Sequence, residues 1–410
     1  MKRVLFVDHV SRILGGAELN LIELVAAAVP RGRWVMACAC ASGSPLSQAL
    51  SALPIPQLEH GFSPALNTLR VVERRGSVKA LRRSLLGLRD ARRQLLARIR
   101  VFRPQVVVSC TNKDHFCAGY ACQRAGVPSI WCVNDVMSRE FFSWPLRAAF
   151  RWQARRAAHL TPVSDYAGDA LRRAGIPPGR MTRIHNGLPL SRYQPQPRGF
   201  LRRHLSITPD QPMIGLVGRV APWKGQRFFL ELARAWAKEG QAGHFIVIGK
   251  VFNEDQAFER DLRQWVETQG LAGRVHFASF QENLVAALSD LDVMVHASLR
   301  PEPFGRVIIE AMAVGAPVIA ARAGGVPEII EDRQNGWLAA PGDLREYLTA
   351  LRQRFQDEEL TRKIREAAGR VVRERFTIER VLDQFEAIID RRSEGGVDAV
   401  SSQSTCILSF

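Results

Sequence analysis

Arg300-Pro301-Glu302-Pro303-Phe304-Gly305-Arg306-Val307-Ile308-Ile309-Glu310-Ala311-Met312-Ala313-Val314-Gly315 is the stretch whose reading decides the fold. The apolar run Asp292-Val293-Met294-Val295-His296 before it reads as a strand, and the prolines around Glu302 break it into a loop. A helical pattern then opens at Gly305 and stops at Gly315. In open α/β sheets, ligands sit at the carboxyl ends of strands, where helix N-termini offer N–H groups to anions. The backbone donors here are Gly305, Arg306 and Val307, with Phe304 just before them. Ionised Glu310 only accepts hydrogen bonds, which suits the two hydroxyls of a ribose. A plainer reading competes: a glutamate early in a helix complements the helix dipole and needs no ligand.

Outward from this stretch the chain alternates strand and helix. Strands are expected at 3–8, 34–40, 105–110, 129–133, 159–163 and 181–185, then at 213–217, 244–249, 274–278, 292–296 and 317–320. Such alternation predicts an α/β fold with parallel sheets covered on both faces. At 410 residues two or three domains are expected. They fall at 1–188, a Pro/Arg-rich linker 189–212, a second half 213–375, a terminal helix 376–392 that can return to the first half, and a disordered tail 393–410 rich in Gly and Ser.

Composition narrows the class. With 46% apolar and 24% charged residues the chain reads as a soluble globular protein. No apolar run is long enough to span a bilayer, and the start Met1-Lys2-Arg3-Val4-Leu5-Phe6-Val7-Asp8 reads as a strand and not as a signal peptide. Together these predict a cytoplasmic protein. Seven cysteines without C-x-x-C spacing read as reduced thiols, and Cys406 is too far from the end for prenylation. Net charge is +17, concentrated in 70–103, where twelve Lys/Arg face only Glu73 and Asp90. Val78, Leu81, Leu85, Leu88, Ala91, Leu95 and Ile99 recur there at helical spacing. One reading is a sheet-covering helix with a solvated basic face. The other holds the protein at the inner face of the cell membrane, against anionic headgroups. No aromatic interleaving or recognised motif supports nucleic-acid binding.

A second stretch, Gly218-Arg219-Val220-Ala221-Pro222-Trp223-Lys224-Gly225, follows the first strand of the second half. A cation pair at a strand exit can hold a diphosphate and offset charge as it departs, although two surface cations are unremarkable in so basic a chain. Leu14-Gly15-Gly16-Ala17-Glu18 is a turn entering a helix, and it lacks the third glycine of a dinucleotide fingerprint. Asp290-Leu291-Asp292 precedes its strand, which puts it at the sheet edge away from a ligand; it reads as structural, and no metal is expected.

These stretches resemble the retaining glycosyltransferases of family 4 type. Glu302 and Glu310 match their E-x7-E signature, Arg219 and Lys224 their G-R-x3-x-K-G, and Ala316–Ile330 with Asn335-Gly336-Trp337-Leu338 extends the likeness. The resemblance implies a GT-B fold, two Rossmann-like doubly wound domains facing a central cleft. It implies sugar transfer from a nucleotide-diphosphate donor, as co-substrate and without a further cofactor, to a hydroxyl on a glycan or lipid-linked acceptor. Arg219, Lys224 and Glu302 would be the catalytic set, Phe304, Gly305, Arg306 and Val307 would bind the donor, and Gly15 and Gly16 would approach it. Phe280 would help hold the base. A histidine common on the acceptor side is replaced by Asn134 in Val133-Asn134-Asp135, leaving Asn134 and His115 as acceptor-side candidates. Two alternatives stay open: a GT-B nucleotide-sugar epimerase, which needs donor alone, and a non-catalytic membrane- or glycan-binding partner, which turns over nothing.

Overall fold

In the computed structural model, residues 1–9, 14–62, 78–137, 144–252, 255–278 and 283–394 are described. Phe280, the segment 70–77 and the tail from 395 onward, including Cys406, lie outside them. The chain forms two compact units, Met1–His185 with Glu379 onward, and Asn186–Ile378.

Unit 1 contains a parallel sheet of β1 (Lys2–Val7), β2 (Trp34–Cys40), β3 (Gln57–Glu59), β4 (Val106–Ser109), β5 (Ser129–Val133) and β6 (His159–Pro162), ordered β3-β2-β1-β4-β5-β6. Unit 2 repeats the design with β7 (Met213–Val217), β8 (His244–Ile248), β9 (Val275–Ala278), β10 (Val293–His296), β11 (Val318–Ala321) and β12 (Trp337–Ala339), ordered β12-β11-β10-β7-β8-β9. Counted within each unit the order is the same, and it reverses direction between first and fourth strands. That point opens a crevice at the strands' carboxyl ends. It lies between β1 and β4 in unit 1 and between β7 and β10 in unit 2.

Local chemistry explains the elements. Val4–Val7 and Val293–His296 are buried throughout, as strands covered on both faces must be. The helix Gln226–Lys238 turns Phe228, Phe229, Leu232, Ala233 and Trp236 inward at helical spacing. In unit 1 the helix Asn112–Ala125 starts on a Thr111 side-chain cap and ends at left-handed Gly126.

Three expectations change. Residues 181–185 form no strand: Met181 makes one isolated bridge to Leu160 beside β6. The three-residue strands β3 and β12, too short for a periodic signal, were not anticipated. The linker contains a helix, Phe200–Leu205, whose first amides are accepted by Asp290.

The basic segment forms the helix Val78–Phe102. Ala91, Leu95, Ile99 and Phe102 are buried against Leu5, Val107 and Ala118. From Ala91 to Phe102 its apolar stripe therefore packs against the core of unit 1, while Arg89, Arg93 and Arg100 remain exposed. No helix among the described residues is long and apolar enough to cross a membrane.

Candidate functional site

Both quoted stretches of unit 2 flank its crevice: Gly218–Gly225 leaves β7 and Ala297–Gly305 leaves β10. Gly225 draws them together. It adopts φ +78°, and a Cβ there would stand 1.9 Å from the Ala297 carbonyl oxygen, so only glycine permits the approach. The preceding residue, Lys224, then places Nζ 2.7 Å from Glu302 Oε1. His296 Nε2 lies 2.9 Å from the same oxygen, and the Ser298 hydroxyl also donates to it. Among the described residues Oε2 of Glu302 receives no hydrogen bond. Burial alone would raise the Glu302 carboxyl, but Lys224 and His296 outweigh it and hold the group well below the usual carboxylate range. Glu302 is thus a fixed anion with one oxygen committed to the protein.

Glu310 sits one turn inside the helix Arg306–Ala313, which Gly305 opens without a side-chain cap. Its Oε1 accepts from Arg306 Nε at 2.8 Å and from the Tyr193 hydroxyl at 3.2 Å, and Arg306 Nη2 reaches Tyr193 at 3.1 Å. The Arg306 side chain therefore orients a carboxylate, whereas sequence spacing had offered only its backbone N–H. Phe304 is buried edge-on against Phe376, 5.8 Å between centroids, which makes its ring part of the core. Val307 is half-buried. Arg219 is exposed, with its guanidinium 4.9 Å from the Phe252 centroid.

The structure thus joins Lys224 directly to Glu302 and puts Glu310 in a separate buried pair with Arg306. Arg219 lies at the exit of β7 and touches neither glutamate. His296, Ser298 and Tyr193 were missed. The first two carried a signal, since a polar residue ending an apolar strand and its neighbour two positions on share a face. Tyr193 carried none, being 117 positions from its partner.

Asp290 and Asp292 lie before β10, at the opposite edge. Asp292 pairs with Arg198 and Arg202 at 2.6 and 3.0 Å, so this pair ties the linker to the sheet.

In unit 1, Gly15 and Gly16 are exposed after β1, where the Gly15 amide donates to Glu18 Oε2 at 2.6 Å. Asn134 is half-buried and donates to the Cys110 carbonyl at 3.2 Å. His115 is a correction to the acceptor-side expectation. Its ring stacks on Trp131 at 4.8 Å, meets Phe150 edge-on, and bonds Ser109 at 2.7 Å. An aromatic imidazole filled this core position and left solvent. Burial depresses its pKa from 6.5 to about 3. The unfolded chain then takes up a proton that folded His115 refuses, so stability falls as pH drops from 6.5 towards about 3. Thermal melts of His115→Phe should show a shallower decline between pH 7 and 4 than the parent; parallel curves would remove His115 as a source.

The family described as Glycosyltransferase Family 4 matches residues 14–192, and that described as Glycosyl transferases group 1 matches 197–371. Among relatives, the chain is 27% identical to the alpha-D-kanosaminyltransferase of Streptomyces kanamyceticus, over 58% of this chain and 62% of that protein. It is 30% identical to the 2-deoxystreptamine N-acetyl-D-glucosaminyltransferase of Streptomyces fradiae, over 61% and 60%. The matches therefore span less than two thirds of these relatives' lengths. Among solved structures, Anabaena HepE in complex with UDP and glucose superposes with a TM-score of 0.83 at 25% identity, covering 95% of this chain and all of that one.

Proposed function

Because the chain belongs to the group 1 glycosyltransferases of family 4 type, with the GT-B fold, we propose that it moves a sugar from a nucleotide-diphosphate donor to a hydroxyl acceptor, with retention of anomeric configuration. The observation that carries this is the Lys224–Glu302 contact, backed by His296 and Ser298, at the crevice of unit 2. A compact cation suits a diphosphate oxygen, and exposed Arg219 supplies a second. Glu302 offers Oε2 to a hydroxyl of the transferred sugar. Glu310, turned by Arg306 and Tyr193, offers its other oxygen to the ribose. Charge on the leaving diphosphate is met by Arg219, Lys224 and the helix opening at Gly305, so no metal is assigned to it. With no covalent nucleophile evident among the described residues, the acceptor attacks the face that the diphosphate leaves in this reading. UDP and glucose bound to the Anabaena neighbour support a nucleotide-sugar donor.

The test is a panel of nucleotide-sugars screened by thermal shift, followed by proton NMR of the product, whose anomeric coupling reads configuration. No stabilisation by any donor, or an inverted product, defeats the corresponding part. Glu310→Gln should weaken donor binding about ten- to a hundredfold, the worth of a charge-assisted hydrogen bond pair; unchanged affinity by calorimetry removes the ribose role.

The acceptor is a membrane-borne or cell-envelope glycan in this reading, reached from the cytoplasmic face. Support comes from the exposed arginines of the helix Val78–Phe102. With Ala91, Leu95, Ile99 and Phe102 of its apolar stripe buried, attachment would rest on the basic face and should weaken with salt. Flotation with phosphatidylglycerol vesicles should recover the protein at low salt and release it at high salt. Equal recovery with purely zwitterionic vesicles sinks the idea.

A further inference from the structure

The carboxyl ends of three unit 1 strands bring four ionisable side chains together. Asp8 and His9 follow β1, His60 follows β3, and Asp114 lies in the first turn of the helix after β4. Asp8, His60 and Asp114 are fully buried and His9 nearly so. His9 Nδ1 lies 2.9 Å from Asp114 Oδ2, and His60 Nε2 lies 3.6 Å from Asp114 Oδ1. The ligating atoms of Asp8, His9 and Asp114 all fall within 4.8 Å of one another.

One observation beyond the clustering itself marks this as a place for an ion. Two carboxylates are sequestered at one point. Among the described residues, neither ring nitrogen of buried His60 has a hydrogen-bond partner, nor has Asp114 Oδ1. Such buried polar atoms are rare in native proteins, and a bound ion is one of the things they mark.

We propose that Asp8, His9, His60 and Asp114 bind one divalent cation, with zinc the best match. Two carboxylates and two neutral imidazoles make the assembly electrically neutral. Mixed nitrogen and oxygen donors suit zinc, whereas magnesium and calcium take oxygen. Arms of about 2.0–2.1 Å give a tetrahedron with edges of about 3.4 Å; His9 Nδ1 stands 2.9 Å from Asp114 Oδ2 and His60 Nε2 stands 3.6 Å from Asp114 Oδ1, so each imidazole approaches its own oxygen of that carboxylate at a distance near such an edge. Thr111 donates to Asp114 Oδ2 at 2.7 Å, the kind of outer hydrogen bond that fixes a ligating carboxylate. The ion would pin the ends of β1, β3 and β4 to one another. It is a site of unit 1 alone, independent of the donor chemistry proposed for unit 2.

The test uses the full chain purified without chelators. After dialysis, mass spectrometry for metals should find about one zinc per chain. Cobalt(II) should replace it with the visible bands of a tetrahedral site. Added zinc should raise the melting temperature of the metal-stripped protein. His60→Gln, checked for folding by circular dichroism, should bind about tenfold or more weakly and lose that thermal shift. Metal-free wild-type protein that zinc does not stabilise overturns the proposal, whatever becomes of the variant. Equal binding by a folded His60→Gln protein identifies an adventitious ion only and overturns it too.

Discussion

Lys224→Ala is expected to lower kcat for sugar transfer by about 10²–10³-fold, the usual cost of removing a preorganised charge from a developing anion. The ammonium lies 2.7 Å from Glu302 on a loop held by Gly225, so its position is fixed in advance of the proposed reaction. Two effects combine in the expected loss: the proposed diphosphate gives up a fixed cation, and Glu302 gives up its main charge partner. Glu302 is then faced only by His296 and Ser298, and its carboxyl shifts upward from its depressed position. The acid limb of the pH–rate profile should therefore move to higher pH in the variant. Lys224→Arg keeps the charge but not the compact geometry, and should recover only part of the rate. Steady-state kinetics on the donor identified by thermal shift decides the matter. A Lys224→Ala enzyme within about threefold of wild type in kcat would take this residue out of the transition state.

Gly324→Ala should be among the most damaging single-methyl changes in unit 2. Gly324 has φ +65°, and its Cβ would stand 2.1 Å from the Glu302 carbonyl oxygen. Left-handed strain costs about 1–2 kcal/mol and forced repacking about 1–3 more. Together, about 3 kcal/mol corresponds to a fall of about 6–12 °C in the melting temperature of a unit this size. Glu302 would be displaced with its loop, so transfer should fail even in protein that still folds. Gly240→Ala is the control: its φ is +73° but nothing lies within 4 Å of the added methyl, so it carries the backbone cost alone. Equal melting temperatures for the two variants would show that the loop yields to the added methyl.

The fold and half of the site were legible for the same physical reason: both are written in short, ordered stretches. Parallel strands buried on both faces read as apolar runs, as at Val4–Val7 and Val293–His296, and glycines and prolines mark their exits. Lys224 and Glu302 stand at such exits, so their approach followed from strand order. Contacts between distant positions left no trace. Tyr193 reaches Glu310 from the linker, and Asp114 meets His60 and His9 from three separate strand ends. His115 misled because its neighbours were invisible: a histidine near a helix start resembles a capping or binding residue until Trp131 and Phe150 are seen to enclose it. The basic segment was ambiguous in a different way, since a stripe that covers a sheet and one that enters a bilayer have the same spacing.

The final helix, Ile378–Glu394, belongs to unit 1 from Glu379 onward. There Leu382, Phe385, Ile388 and Ile389 are buried, Asp383 and Glu386 meet Arg31 and Arg33, and Asp390 meets Lys2. During synthesis, the first half of the protein to leave the ribosome is therefore the last to be finished. It must wait, with an apolar face open and Arg31 and Arg33 unmatched, while all of unit 2 is translated. A stop codon a few dozen residues early would spare the crevice of unit 2 and still cripple the protein's opposite end.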